Sequence, residues 1–192
     1  MKNKKIWRLV ILVCGVMIIL SYMSFFLKIN TKYPAPKEII HNMNDVLQVP
    51  KLEKFTFQIE EAELIEGKEV ASLVPNFYAQ SKESGLEYAV ISLTIALKNA
   101  SEIEQKVEQL KIAMLTMNKT YSNGLSLPAT FEVDNEGIID SVKPHQTQKI
   151  KLLYGIAKNN LKKRTYNSLR SQKFYYTYCL SPIVERVSLD LK

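Results

Sequence analysis

The residues of this sequence best equipped for chemistry are two histidines, two cysteines and a run of glutamates, and their spacing decides what they can do. His41 and His145 belong to no His-x-x-x-His or Cys-x-x-Cys pattern, the arrangements that bring metal ligands together. A nucleophile–base pair of Cys179 and His145 would have to assemble in space, because no local signature surrounds either residue. Glu60, Glu61, Glu63, Glu66 and Glu69 lack the Asp-x-Asp-x-Asp-Gly order of a calcium loop and read as a solvated strand end and turn. No Gly-x-Ser-x-Gly elbow, P-loop or dinucleotide fingerprint is present, and six glycines leave little material for phosphate-cradling loops. The expectation is a protein without catalytic activity, cofactor or metal.

Two clusters suit binding instead. Phe174-Tyr175-Tyr176-Thr177-Tyr178 places Phe174, Tyr176 and Tyr178 on one face of a strand. They are either core aromatics or, through Tyr176 and Tyr178, a contact patch for a protein partner or glycan. Lys158, Lys162, Lys163, Arg164, Arg170 and Lys173 form a basic stretch. It is either neutralised by neighbouring strands or, through Lys162, Lys163 and Arg164, meets anionic lipid or wall polymer. Cys179 reads as a buried strand thiol or as the link of a disulfide dimer. Two glycosylation sequons, at Asn99 and Asn118, carry almost no weight by themselves.

The elements that must position these residues begin with an apolar run. Leu9 to Leu27 is uncharged and nearly long enough to cross a hydrocarbon core of roughly 30 Å. Cys14 lies inside this run, after Leu12 and Val13, where a lipoprotein attachment cysteine would not stand. The run exceeds the apolar core of a signal peptide and no A-x-A site follows, so an uncleaved signal anchor is expected. Lys2, Lys4, Lys5 and Arg8 precede it, placing residues 1–8 in the cytoplasm and the remainder outside, in the plasma membrane. Residues 28–50, with Tyr33-Pro34-Ala35-Pro36 and Pro50, read as a semi-rigid extracellular tether of polyproline II character.

Period-two alternation dominates residues 51–192. Strands are expected from Phe55 to Glu60, Glu87 to Asn99, Leu110 to Met117, Thr147 to Tyr154, Phe174 to Leu180 and Val184 to Leu191. Turns are expected at Tyr121-Ser122-Asn123-Gly124 and at Lys143-Pro144-His145-Gln146. Helices are minor, over Val70 to Ser81 and Leu161 to Arg170. Short strands without a βαβ rhythm predict a mainly β antiparallel sandwich preceded by one transmembrane helix.

The Tyr33-to-Pro36 stretch, the strand ending in Lys98-Asn99-Ala100-Ser101, the Ser122-Asn123-Gly124 turn and Val142-Lys143-Pro144-His145-Gln146-Thr147 together carry a resemblance. The sequence resembles a family of uncharacterised, mostly Gram-positive bacterial single-pass membrane proteins with a telokin-like, immunoglobulin-like extracellular domain. In such domains the last segment usually has glycine where His145 stands. The resemblance implies an immunoglobulin-like sandwich and brings no activity or ligand residues.

Charge sharpens the partner classes. The net +7 divides into six basic and no acidic residues over 1–32, against 20 basic and 19 acidic over 33–192. The external portion is nearly neutral overall, which removes the case for nucleic acid. Within it, residues 33–140 hold 9 basic and 17 acidic residues, and residues 141–192 hold 11 and 2. The functional expectation is a membrane-anchored extracellular binding module of unknown ligand. The alternative is an accessory subunit of a transport, secretion or cell-envelope complex that associates through its span; a surface hydrolase is disfavoured by the missing constellations.

Overall fold

The structure, a computed structural model, describes residues 2–32, 36–118, 121–133 and 140–192. Contacts divide the chain into two compact units, Met1–Lys37 and Glu38–Lys192.

The first unit is a helix, α1 (Lys2–Lys32), of 31 residues. Its Ile11–Lys32 portion is long and apolar enough to cross a membrane. Nothing in the run opposes helix until Pro34, which disfavours helical backbone in the residue before it. The helix therefore exceeds the expected 9–27 at both ends. Tyr33, Pro34 and Ala35 of the expected polyproline II stretch lie outside the described residues.

The second unit is mainly sheet. Its strands are β1 (Lys37–Asn42), β2 (Leu47–Gln48), β3 (Phe55–Ile65), β4 (Tyr88–Asn99), β5 (Gln105–Lys106), β6 (Met114–Met117), β7 (Tyr121–Asn123), β8 (Ser141–Val142), β9 (Thr147–Ala157), β10 (Phe174–Cys179) and β11 (Ile183–Leu189). One sheet runs β1-β11-β10-β6-β7, a second runs β2-β3-β4-β9, and β5 pairs with β8. The two large sheets face each other across one core. Phe57 of β3 meets Tyr178 of β10 edge-on, with ring centroids 4.9 Å apart, and Tyr154 of β9 meets Tyr176 at 6.3 Å. This sandwich agrees with the expected fold at that level.

Three short helices, α2 (Lys68–Leu73), α3 (Pro75–Glu83) and α5 (Leu127–Val133), cover the outer face of the second sheet. Val70, Val74 and Ala129 pack there on Ile65, Val90 and Leu153. Burial on both faces explains why β4 is continuously buried from Ala89 to Leu93 rather than alternating. The Glu132 carboxylate of α5 accepts the Asn76 and Phe77 N–H groups at 2.6 and 2.9 Å, satisfying donors at the start of α3.

Several expectations are corrected. The 28–50 tether is helix to Lys32 and then sandwich, because β1 and β2 lie within it. The bounding prolines suggested a linker, yet Leu47 and Val49 are buried beside β3. Leu110 begins no strand: it belongs to α4 (Glu108–Lys111), and β6 starts at Met114. Tyr121–Asn123, expected as a turn, is β7, antiparallel to β6. The expected Leu161–Arg170 helix is α6 (Lys163–Tyr166) followed by a 3-10 turn over Leu169–Ser171.

The edges of the second sheet are partly covered by local chain. Along β3, β2 pairs with Phe57 and Thr56, Asn44 N–H donates to Ile59 O at 3.2 Å, and Lys192 exchanges bonds with Ala62 and Leu64. On β9, Leu153 is held by Ser126 N–H and the Thr130 hydroxyl. Unpaired edge groups would otherwise recruit other strands.

Candidate functional site

The basic stretch forms a cap over one end of the sandwich. Residues 158–173 leave β9 in one sheet and enter β10 in the other. Leu161, Tyr166 and Leu169 turn inward and join the core, so the crossing is anchored by apolar burial. Asn118, just after β6, pins its far end: its N–H donates to Lys173 O at 3.1 Å, and its Oδ1 accepts the Lys173 N–H at 3.2 Å. Ser168 and Gln172 supply internal bonds, including Gln172 Nε2 to Ser168 O at 3.1 Å.

The cap's cations fall into two groups. Lys158 pairs with Glu87 and stands 5.5 Å from the Tyr166 ring centre. Arg170 donates to Glu66 at 3.2 Å and to Leu64 O at 3.3 Å. Burial, then the charges of Glu87 and Glu66, push the Tyr166 phenol up to about 12. By contrast, Lys162, Lys163, Arg164 and Lys173 are exposed, and their side chains have no hydrogen bond or ion pair with any described residue.

The same division runs through the whole unit. Lys149–Glu60, Lys158–Glu87, Arg170–Glu66, Arg186–Glu38 and Lys192–Glu61 each join a basic residue of the 141–192 stretch to an acidic residue of the 33–140 stretch. Neutralisation across strands accounts for those five cations. It does not reach Lys143, Lys151, Lys162, Lys163, Arg164 or Lys173, and the last four belong to the cap.

The aromatic cluster is corrected. Tyr176 is 0% exposed and Tyr178 is 9% exposed, so neither ring presents a contact surface. Their hydroxyls are also committed: Tyr176 donates to Leu110 O at 3.0 Å, and Tyr178 donates to Glu185. Alternation put both tyrosines on the inward face, and a sandwich core takes whatever large aromatics that face carries.

Other candidates are placed apart. His145 contacts Glu102 at 3.0 Å in an exposed turn. His41 stands 3.8 Å from Glu185, too long for a hydrogen bond. Cys179 is half-buried beside a register shift in β10, its thiol 3.6 Å from Ser181 O. Among the described residues no group of three or more His, Cys, Asp or Glu side chains is arranged to hold a metal ion. Glu63 and Glu69 line a shallow open hollow of about 400 Å³. The Asn99 sequon is a structural network: Asn99 is 0% exposed, and its Nδ2 donates to Ile103 O at 2.8 Å and Val142 O at 2.9 Å. The second sequon's Lys119 and Thr120 lie outside the described residues.

Sequence reasoning missed one cluster. Arg186 meets Glu38 at 2.9 Å, both largely buried, and the neighbouring Glu185 holds Tyr178 and faces His41. Residues so far apart in sequence left no spacing to read. The cluster also gives β1 its direction. Glu38 meets Arg186, opposite Thr177, whereas His41 meets Glu185, opposite Cys179. β10 leaves the cap at Phe174, so β1 likewise advances away from the cap, and the chain enters the sandwich at the cap end.

No family model matches this sequence, and no curated protein matches it. Similar solved structures come from Gram-positive bacteria. An uncharacterised β-sandwich protein of Clostridium difficile 630 is 12% identical, with a TM-score of 0.47, covering 81% of this chain and 95% of that one. A conserved hypothetical protein of Bacillus anthracis is 16% identical at a TM-score of 0.43, covering 71% and 87%. A functionally unknown protein of Listeria monocytogenes EGD-e is 20% identical at 0.43, covering 71% and 73%.

Proposed function

We propose that this protein is a membrane-anchored binding module: α1 spans the plasma membrane, and Glu38–Lys192 is an extracellular immunoglobulin-like sandwich that binds without catalysing. The observation that carries the reading is the cap. Four cations, Lys162, Lys163, Arg164 and Lys173, are held outward on a crossing anchored by Leu161, Tyr166 and Leu169, while other cations of the same stretch are neutralised in place. Fixed charge of one sign on a rigid support suits recognition of an anionic partner. The span supports anchoring by length and composition. The basic residues ahead of it support a cytoplasmic N-terminus.

The test uses intact cells expressing the full chain. The protein is expected to stay in the membrane pellet through alkaline carbonate washing, and external protease is expected to remove residues 38–192. Release by carbonate, or complete protection of those residues, overturns the reading.

A further inference from the structure

We propose that the groove between α3 and α5 binds a neutral sugar ring, with Phe131 as the platform beneath it and the Asn76 and Gln80 amides as its hydroxyl contacts. The inference goes beyond the reading above and depends neither on the cap nor on α1 spanning a membrane. The groove is a surface hollow of about 300 Å³, lined by Asn76, Phe77 and Gln80 of α3 and by Pro128, Phe131 and Glu132 of α5. Its walls are fixed from below. α5 buries Ala129 and Thr130, whose hydroxyl accepts the Leu153 N–H at 3.1 Å, and leaves Phe131 53% exposed. α3 is held to α5 by the Glu132 carboxylate on the Asn76 and Phe77 N–H groups, and the Phe77 ring centre lies 5.3 Å from that of Tyr88. Asn76 and Gln80 stand one turn apart on the same face of α3. Both are exposed, and their side-chain amides make no hydrogen bond with any described residue.

The lining selects the ligand by what it offers. A single exposed ring is ordinary on a protein surface. Here the ring shares a groove with two primary amides, each presenting donor hydrogens and an acceptor oxygen. Among the described residues the lining carries no free charge, because Glu132 commits both oxygens to backbone N–H groups. Other hollows differ in this respect: one is edged by Glu63 and Glu69, another by Lys149 and Lys151, a third by Lys51, Glu53, Glu104 and Lys106. A charged ligand therefore finds no counter-charge beside Phe131. A wholly apolar one would strip water from Asn76 and Gln80 without replacing its hydrogen bonds. A pyranose with equatorial hydroxyls meets both demands. Its C–H face is apolar and lies flat on an aromatic ring, while its rim hydroxyls each donate and accept, as the amides require. The hollow is at the small end of ligand sites, which run from about 300 to 1,000 Å³, and it suits one unit of a longer sugar chain.

The test uses the full chain, kept in solution by a phosphocholine detergent, and cellotriose, whose glucose rings carry all-equatorial hydroxyls. Saturation-transfer NMR reads which sugar protons touch the protein. Transfer is expected to the ring C–H protons of cellotriose at millimolar sugar. Phe131→Ala is expected to weaken binding about tenfold, and Phe131→Leu nearly as much, because an aliphatic side chain offers no flat ring. Asn76→Ala and Gln80→Ala are each expected to weaken it about fivefold, since each removes a hydrogen-bonding partner and leaves the backbone N–H groups on Glu132 in place. Ile112→Ala, at another exposed apolar residue, is expected to bind as the parent does. All five variants change exposed side chains, so unchanged circular dichroism spectra are expected. Absence of transfer from cellotriose overturns the proposal, as does transfer that survives Phe131→Ala or both amide substitutions. Equal transfer from cyclohexanol also overturns it, by assigning the groove to any apolar ring, as does transfer from a neutral leucine-containing peptide with none from the sugar.

Discussion

Single residues show what two of the sequence motifs do in the fold. Asn99 looks like a glycosylation acceptor and is a buried strut. Its Nδ2 feeds two carbonyls, and its Oδ1 accepts from the Ser101 N–H and hydroxyl at 3.0 and 2.7 Å. Asn99→Ala orphans these groups and is expected to lower stability by about 2–4 kcal/mol, read as a shifted urea midpoint. Asn99→Asp is expected to do little better, since a carboxylate cannot donate to Ile103 O or Val142 O. His145 stands where the resemblance expects glycine, and its φ of 58° is left-handed. That conformation strains an L-residue by about 1 kcal/mol, part of which glycine returns through unfolded-state freedom. His145→Gly is therefore expected to raise the melting temperature slightly; a fall would mean that the exposed Glu102 contact outweighs the strain. The glycine preference came only with the resemblance, and the fate of each glutamate was not legible at all. Glu60, Glu61 and Glu66 each find a cation from the far end of the chain, and no local pattern encodes such pairings.

At the scale of elements, long strands were readable and their flanks were not. β4, β9, β10 and β11 fall within a few residues of expectation, because alternation in a half-buried strand is a strong signal. β1 and β2 were hidden by prolines on either side, and α5 is too short to show a helical period. These hidden strands are structurally important. Leu47 and Val49 are buried, and burial of two such side chains contributes about 4 kcal/mol, a large share of typical domain stability. A fragment starting at Glu38 is expected to unfold cooperatively, while one starting at Lys51 is expected to melt much lower or aggregate, as thermal denaturation will tell. The tyrosine strand sets the alkaline limit. Burial raises the phenols of Tyr154, Tyr176 and Tyr178 above their ordinary 10.0, and Tyr166 is pushed up to about 12. A folded pKa above the unfolded one means that the native state holds its proton longer. Its stabilising contribution is whole below about pH 10 and is lost as pH climbs towards about 12. Tyrosinate absorbance is expected to show Tyr154, Tyr166, Tyr176 and Tyr178 ionising only together with loss of the circular dichroism signal. Ionisation of all ten tyrosines in an intact fold would contradict the buried placement.

For the molecule as a whole, the place of β1 as the first strand after α1 in sequence and at the edge of its sheet has a mechanical consequence. Any tension between the two units is delivered to β1, which is joined to the sandwich by its ladder with β11 and by the Glu38–Arg186 pair. The deeper aromatic packing of Phe57, Tyr154 and Tyr176 carries load only after that strand has peeled. Single-molecule pulling between α1 and the Lys98 end is expected to give a weak first rupture releasing β1, followed by a stronger one. Arg186→Ala is expected to weaken the first alone, and one all-or-none rupture would refute the order. The strand that begins the sandwich thus serves as its fuse: a pull on the anchor is spent on residues 37–42 before the core feels it.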